Sequence, residues 1–148
     1  MLNPGPRAVL AGAPGFGVYV QEDTMRFARA VFLIAGIYGL AVMVPLYFME
    51  ARIGREMPPA ITHPEYFYGF AGVTLAWQLL FLVLAGDPLR YRTMMLPAIV
   101  EKVSYVAALV ILSLQHRVPS SVLPFGFLDG ILAVLFISSY IVTRARQA

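Results

Sequence analysis

The chain has 148 residues, 59% of them hydrophobic and only 13% charged, with a mean hydropathy of +0.75. Soluble domains hold about 45–50% apolar residues, so this composition excludes an ordinary water-soluble globule. The 13% of aromatic residues, the lack of a Gly or Pro period and the 0 cysteines exclude a disordered, collagenous or disulfide-stapled chain. They also argue against thiol redox chemistry and an iron–sulfur centre. One small membrane-embedded domain is the expected class.

In chain order, residues 1–24 carry the Gly/Pro-rich stretches Asn3-Pro4-Gly5-Pro6 and Gly12-Ala13-Pro14-Gly15. They lack the basic stretch and apolar core of a cleaved signal peptide and read as a flexible tail. Residues 25–148 are expected to form a single transmembrane domain. Asp23 or Thr24 is suited to cap its first helix, with Arg26 and Arg29 at the membrane interface. Four apolar runs then approach or exceed the roughly 20 residues a helix needs to cross a bilayer.

Residues 27–49 carry no charge except Arg29. Residues 66–85 hold only Thr74 and Gln78 as polar side chains beyond the opening tyrosines, and stop at Gly86-Asp87-Pro88, a helix-ending sequence. Residues 95–114 carry Glu101 and Lys102 near their start, with Pro97 suited to a first turn. Residues 123–142 contain Asp129 and end at the basic Thr143-Arg144-Ala145-Arg146. Such long continuous runs suit helices rather than alternating barrel strands. The expected fold is an all-α, four-helix integral membrane bundle.

Eight basic residues (Arg7, Arg26, Arg29, Arg90, Arg92, Lys102, Arg144, Arg146) fall on one side of these spans and three (Arg52, Arg55, Arg117) on the other. By the positive-inside rule both termini are expected in the cytoplasm. The net charge of +3 follows from that topology, and the basic groups meet anionic headgroups rather than nucleic acid. A bacterial inner membrane is the expected location.

Polar groups inside a span are costly and tend to face the bundle interior, so they are the first candidates for function. Gln78 lies about 18 Å and Asp129 about 9 Å in from the nearest expected helix start, at 1.5 Å per residue. Glu50 closes the first span, and Glu101 lies near the opposite interface, within reach of Arg90 or Arg92. Lys102, the sole lysine, is expected to snorkel to the headgroups. Small and polar residues recur at helical spacing: Ala28, Ala35, Gly39, Val42, Leu46 and Glu50 in the first span, and Ala71, Thr74, Leu75, Gln78 and Leu82 in the second. Ala98, Glu101, Tyr105, Ala108, Leu112 and Gln115 follow in the third, then Gly126, Asp129, Gly130, Ala133, Ile137 and Tyr140 in the fourth. These stripes are expected to enclose a cavity with Glu50, Gln78 and Asp129 in its wall.

Structural roles compete with each of these. Gln78 also suits an interhelical hydrogen bond, worth about 0.6 kcal/mol, and Glu50 a surface pair with Arg52 or Arg55. Trp77, beside Gln78, suits bundle packing as well as a ligand contact. His63 and His116 share one side of the membrane but lack metal-ligand spacing, so no metal and no cofactor is expected. Gly15-Phe16-Gly17 lacks the strand and lysine of a phosphate-binding loop.

One stretch bears a family likeness. Val44-Pro45-Leu46-Tyr47-Phe48-Met49-Glu50, Met57-Pro58-Pro59, Pro64-Glu65-Tyr66-Phe67, Trp77-Gln78-Leu79-Leu80-Phe81, Arg92-Thr93 and Pro97-Ala98-Ile99 together resemble the EXPERA-type proteins, which include the sigma-two receptor and emopamil-binding sterol isomerases. The resemblance covers about residues 37–105. It implies four or five membrane helices and an apolar cavity binding sterols and cationic amphiphiles through buried carboxylates. Glu50, Gln78 and, in the outer loop, Glu65 would match the family's site. Thr74 stands where the family carries an acid a turn before the glutamine, which counts against isomerase-like proton transfer. The chain is also similar to DoxX-type four-helix bacterial proteins.

The function expected from these residues is binding of a lipid-like or amphiphilic ligand, a sterol, hopanoid or quinone, in a cavity lined by Glu50, Gln78 and Asp129, with Glu65, Trp77 and Glu101 contributing. Two alternatives stand beside it. One is an accessory subunit of a larger membrane complex, or a homodimer; the other is a carboxylate-dependent isomerase of a sterol-like substrate.

Overall fold

The computed structural model describes the backbone of residues 16–144 and the side chains of residues 22–144. Residues 1–15, including Arg7, and 145–148, including Arg146, lie outside the described residues. Five α-helices follow in order: α1 (Phe16–Leu46), α2 (Glu50–Glu56), α3 (Pro64–Gly86), α4 (Met95–Leu114) and α5 (Leu123–Arg144). One-turn 3-10 segments at Arg92–Met94 and Ser120–Val122 lead into α4 and α5. No strand occurs among the described residues. Four helical segments, Glu22–Leu46, Pro64–Gly86, Arg92–Leu114 and Ser120–Arg144, are long and apolar enough to cross a membrane.

The expected tail is corrected at its end. Residues 16–24 belong to α1, so Asp23 and Thr24 sit inside a helix rather than capping one. At 1.5 Å per residue the 31-residue α1 is about 46 Å long against a hydrocarbon core of about 30 Å. An i,i+4 ion pair between Glu22 and Arg26 offsets the exposed charge on its first half. The helix closes at Leu46, one residue after Pro45. α2, with the sequence EARIGRE, buries none of its residues and pairs Arg52 with Glu56 at 2.9 Å.

The chain alternates between two ends of the bundle: α2 and the 115–122 turn occupy one, the 87–94 turn the other. α1 packs against both α3 and α5, and α5 packs against α4. α3 and α4, though consecutive, barely touch. Two helix pairs are thus joined through α1 and α5. At their junction Phe32 (α1), Phe81 (α3) and Phe136 (α5) are fully buried. Phe32 stacks on Phe136 with centroids 4.5 Å apart, and Phe81 meets Phe136 edge-on at 5.0 Å.

Close approach of α1 to α3 requires glycine at one position. A Cβ on Gly39 would lie 1.8 Å from Oε1 of Gln78, so only a bare α-carbon leaves room for that side chain. At the far end of α4 the chain turns through a Schellman motif: Arg117 N–H donates to Leu112 O at 2.9 Å and His116 N–H to Ser113 O at 3.0 Å. His116 takes the left-handed conformation this motif demands, with φ 54°.

Two stripes are rotated relative to expectation. In α4 the buried face is Met95, Ala98, Lys102 and Leu109, while Tyr105 and Ala108 are exposed. In α5 it is Gly126, Leu132, Ala133, Phe136, Ser139 and Thr143, while Ile137 is exposed. The expectation weighted small and polar residues, whereas the packed faces are decided by where Phe136 and Leu109 find space.

Candidate functional site

The ionisable groups inside the spans come together in one place, through the residue expected to point away. Lys102 is buried, its side chain only 7% exposed, and its ammonium lies 3.1 Å from Oδ1 of Asp129 on α5. It does not snorkel. On its own helix it lies 3.2 Å from each carboxylate oxygen of Glu101. Oε2 of Glu101 is buried and accepts no hydrogen bond, although it lies at ion-pair distance from the ammonium. The ring of Phe81 on α3 completes the enclosure, with Nζ 5.6 Å from its centroid, a cation–π distance. Glu101 therefore pairs with neither Arg90 nor Arg92.

Arg92 serves α5 instead. It donates to the Tyr140 carbonyl at 3.0 Å and to Thr143 Oγ1 at 3.3 Å, and lies over the Tyr140 ring at 3.9 Å. The guanidinium thus satisfies a carbonyl in the last turn of a helix, where cations are favoured.

The other candidates stand apart from this cluster. Glu50 accepts a hydrogen bond from Tyr68 at 2.9 Å, joining the start of α2 to α3, and Arg52 is taken by Glu56. Gln78 is buried between α1 and α3, donating to the Thr74 carbonyl at 3.0 Å. Glu65 is exposed beside His63 Nδ1 at 3.2 Å. Trp77 packs on Phe81, centroids 6.4 Å apart, and borders a shallow depression with Val73, Ala76 and Leu80. No group of three or more potential metal ligands occurs among the described residues. Glu50, Gln78 and Asp129 thus do not converge: Glu50 is held by Tyr68, Gln78 by the Thr74 carbonyl of its own helix, and Asp129 by Lys102.

A groove that sequence reasoning did not foresee runs between α4 and α5. It has a volume of about 630 Å³ and walls that include Val106, Leu109, Ser113, Phe127 and Val134. Gly126 and Gly130, four residues apart and so on one helix face, form its floor. A Cβ on Gly130 would meet no other atom within 4 Å, so this part of the floor is open. Gly126-x-x-x-Gly130 was the visible signal, a spacing that lets something approach a helix backbone closely. None of Glu50, Gln78, Asp129 or Glu101 lines this groove.

In comparisons with known proteins, no family model, no curated protein and no solved structure matches this chain.

Proposed function

We propose that this chain is a small polytopic membrane protein that binds a lipid-like amphiphile in the groove between α4 and α5. The observation that carries this reading is the groove itself: about 630 Å³ of apolar space, within the roughly 300–1,000 Å³ of small-molecule sites, over a floor that is open at Gly130. Ser113, in the last turn of α4, places a hydroxyl in the wall near one end of the spans. A flat apolar body with one small polar head fits that arrangement, which describes a sterol, a hopanoid or a quinone headgroup region. The head need not be cationic, because the carboxylates lie outside the groove. Helical spans fit a bacterial inner membrane, since outer-membrane proteins are built as barrels.

The test is photolabelling in membranes with a diazirine-bearing sterol and a diazirine-bearing quinone analogue. Gly130→Leu projects a side chain into the groove from a position whose Cβ meets no other atom within 4 Å, and is expected to cut labelling about tenfold while the helix content and unfolding temperature hold. Equal labelling of the variant and the parent overturns the proposal.

A second reading has the same observation behind it. A Gly-x-x-x-Gly face also admits a transmembrane helix from a second copy or from a larger complex. In that case native mass spectrometry shows an oligomer that Gly130→Leu breaks, with no photolabelled lipid. The carboxylate-dependent isomerase reading is less favoured by the geometry, since Glu101 and Asp129 hold Lys102 and Glu50 holds Tyr68.

A further inference from the structure

The ion cluster poses a question that packing does not answer. With every group ionised, Glu101, Lys102 and Asp129 carry two negative charges against one positive, an excess of one negative charge within the membrane spans. The three side chains are 18%, 7% and 17% exposed. Among the described residues the groups that face the cluster do not supply a second cation: α4 adds the phenol of Tyr105, one turn after Glu101, α3 adds the Phe81 ring, and α5 adds Asp129 itself. Arg92 is committed to Tyr140 and Thr143 at the end of the bundle.

An uncompensated charge in such a setting is costly, and a cluster that can shed it by taking up a cation does so. A metal ion is ill suited, because the ammonium already occupies the space between the two carboxylates and repels it. A proton needs no coordination sphere. Glu101 must share its ammonium with Asp129, and its Oε2, though at ion-pair distance, is buried without a hydrogen bond, so Glu101 is the carboxylate on which the proton is seated.

We propose that the Glu101–Lys102–Asp129 cluster is a proton-binding site that takes up one exchangeable proton, seated on Glu101, to reach neutrality. The reaction is an association alone: a proton from water adds to the carboxylate, no other bond forms or breaks, and the cluster charge goes from one negative to zero. The site does not depend on the α4–α5 groove being filled.

The experiment is infrared difference spectroscopy of the full chain in lipid nanodiscs across a pH titration, reading the carboxylic-acid carbonyl band and its shift in deuterated water. Charge counting sets the outcome for each variant. The parent shows one protonated carboxyl in the cluster; Glu101→Gln shows none, because Lys102 and Asp129 then balance. Asp129→Asn also shows none, because Lys102 and Glu101 balance. Lys102→Met, if it folds, shows two. The two amide variants keep the size of the side chain, so the proposal remains testable if Lys102→Met does not fold. A parent spectrum without a protonated carboxyl beyond those of the two amide variants, at any pH where the protein is folded, overturns the proposal, as does a band in Glu101→Gln and Asp129→Asn as strong as the parent's. Retained sterol or quinone photolabelling in Glu101→Gln is expected, and separates failure of this site from failure of the groove.

Discussion

Gly39 and Gln78 form a contact in which the smallest side chain makes room for a polar one. The Gln78 amide is buried, and its Oε1 occupies the space a Cβ on Gly39 would fill at 1.8 Å. Gly39→Ala must therefore push Gln78 out of place or separate α1 from α3. A loss of about 1–3 kcal/mol is expected, measured by reversible unfolding in mixed detergent micelles. Gly126 is a gentler case, because the atom a methyl would meet there is the tip of the Leu109 side chain. At His116 the opposite change is expected to help. A histidine at φ 54° pays for its Cβ where glycine does not, so His116→Gly is expected to raise stability by about 0.5–1 kcal/mol in the same assay. That places His116 in a helix cap.

At the scale of helices, α4 and α5 are tied by a charge contact that spacing alone makes hard to see. Lys102 is 12 residues before the end of α4 and Asp129 six residues after the start of α5, a depth difference of about 9 Å for antiparallel helices. The lysine stem spans much of that offset, so two charges that look out of register meet at 3.1 Å. Removing the cation leaves two carboxylates facing each other in the bundle. Lys102→Met is expected to cost about 3 kcal/mol or more, read as a lowered unfolding temperature in detergent. Replacing all three charges together, as Lys102→Met with Glu101→Gln and Asp129→Leu, is expected to recover most of the loss, because an uncharged contact has no charge left unpaired. No recovery in the triple variant would mean that the lysine stabilises by packing rather than by charge.

At the scale of the whole bundle, the arrangement rests on α1 and α5 carrying neighbours on two sides while α3 and α4 scarcely meet. Phe32 is the residue at which this converges, stacked on Phe136 and 6.3 Å from the centroid of Phe81. Water is not the reference solvent in a membrane, so Phe32→Ala loses packing rather than hydrophobic transfer, and the cavity portion alone amounts to about 2–3 kcal/mol. That loss is expected to separate the α1–α3 pair from the α4–α5 pair before either pair unfolds. Cysteine cross-links placed across the α1–α5 contact would lose efficiency before links across α4–α5. Simultaneous loss of both links would show that the four helices unfold as one unit.

The four spans and the stop of α3 at Gly86 were legible in the residues themselves, whereas α2 (Glu50–Glu56) falls in a stretch that reads as loop. Uninterrupted apolar length admits only a helix in hydrocarbon, and Gly-Asp-Pro cannot continue one. The inward faces of α4 and α5 were not legible, because a membrane helix is apolar all round and the packed side differs from the lipid side only in shape. For the same reason Glu50, Gln78 and Asp129 could be placed on plausible stripes, yet Glu50 pairs with Tyr68 on α3, Asp129 with Lys102 on α4, and Gln78 with the Thr74 carbonyl of its own helix. Which helix lies beside which is a matter of how large and small side chains interlock across space. That tertiary choice gave Lys102 a place between Glu101 and Asp129, and left the floor at Gly130 open beneath the groove.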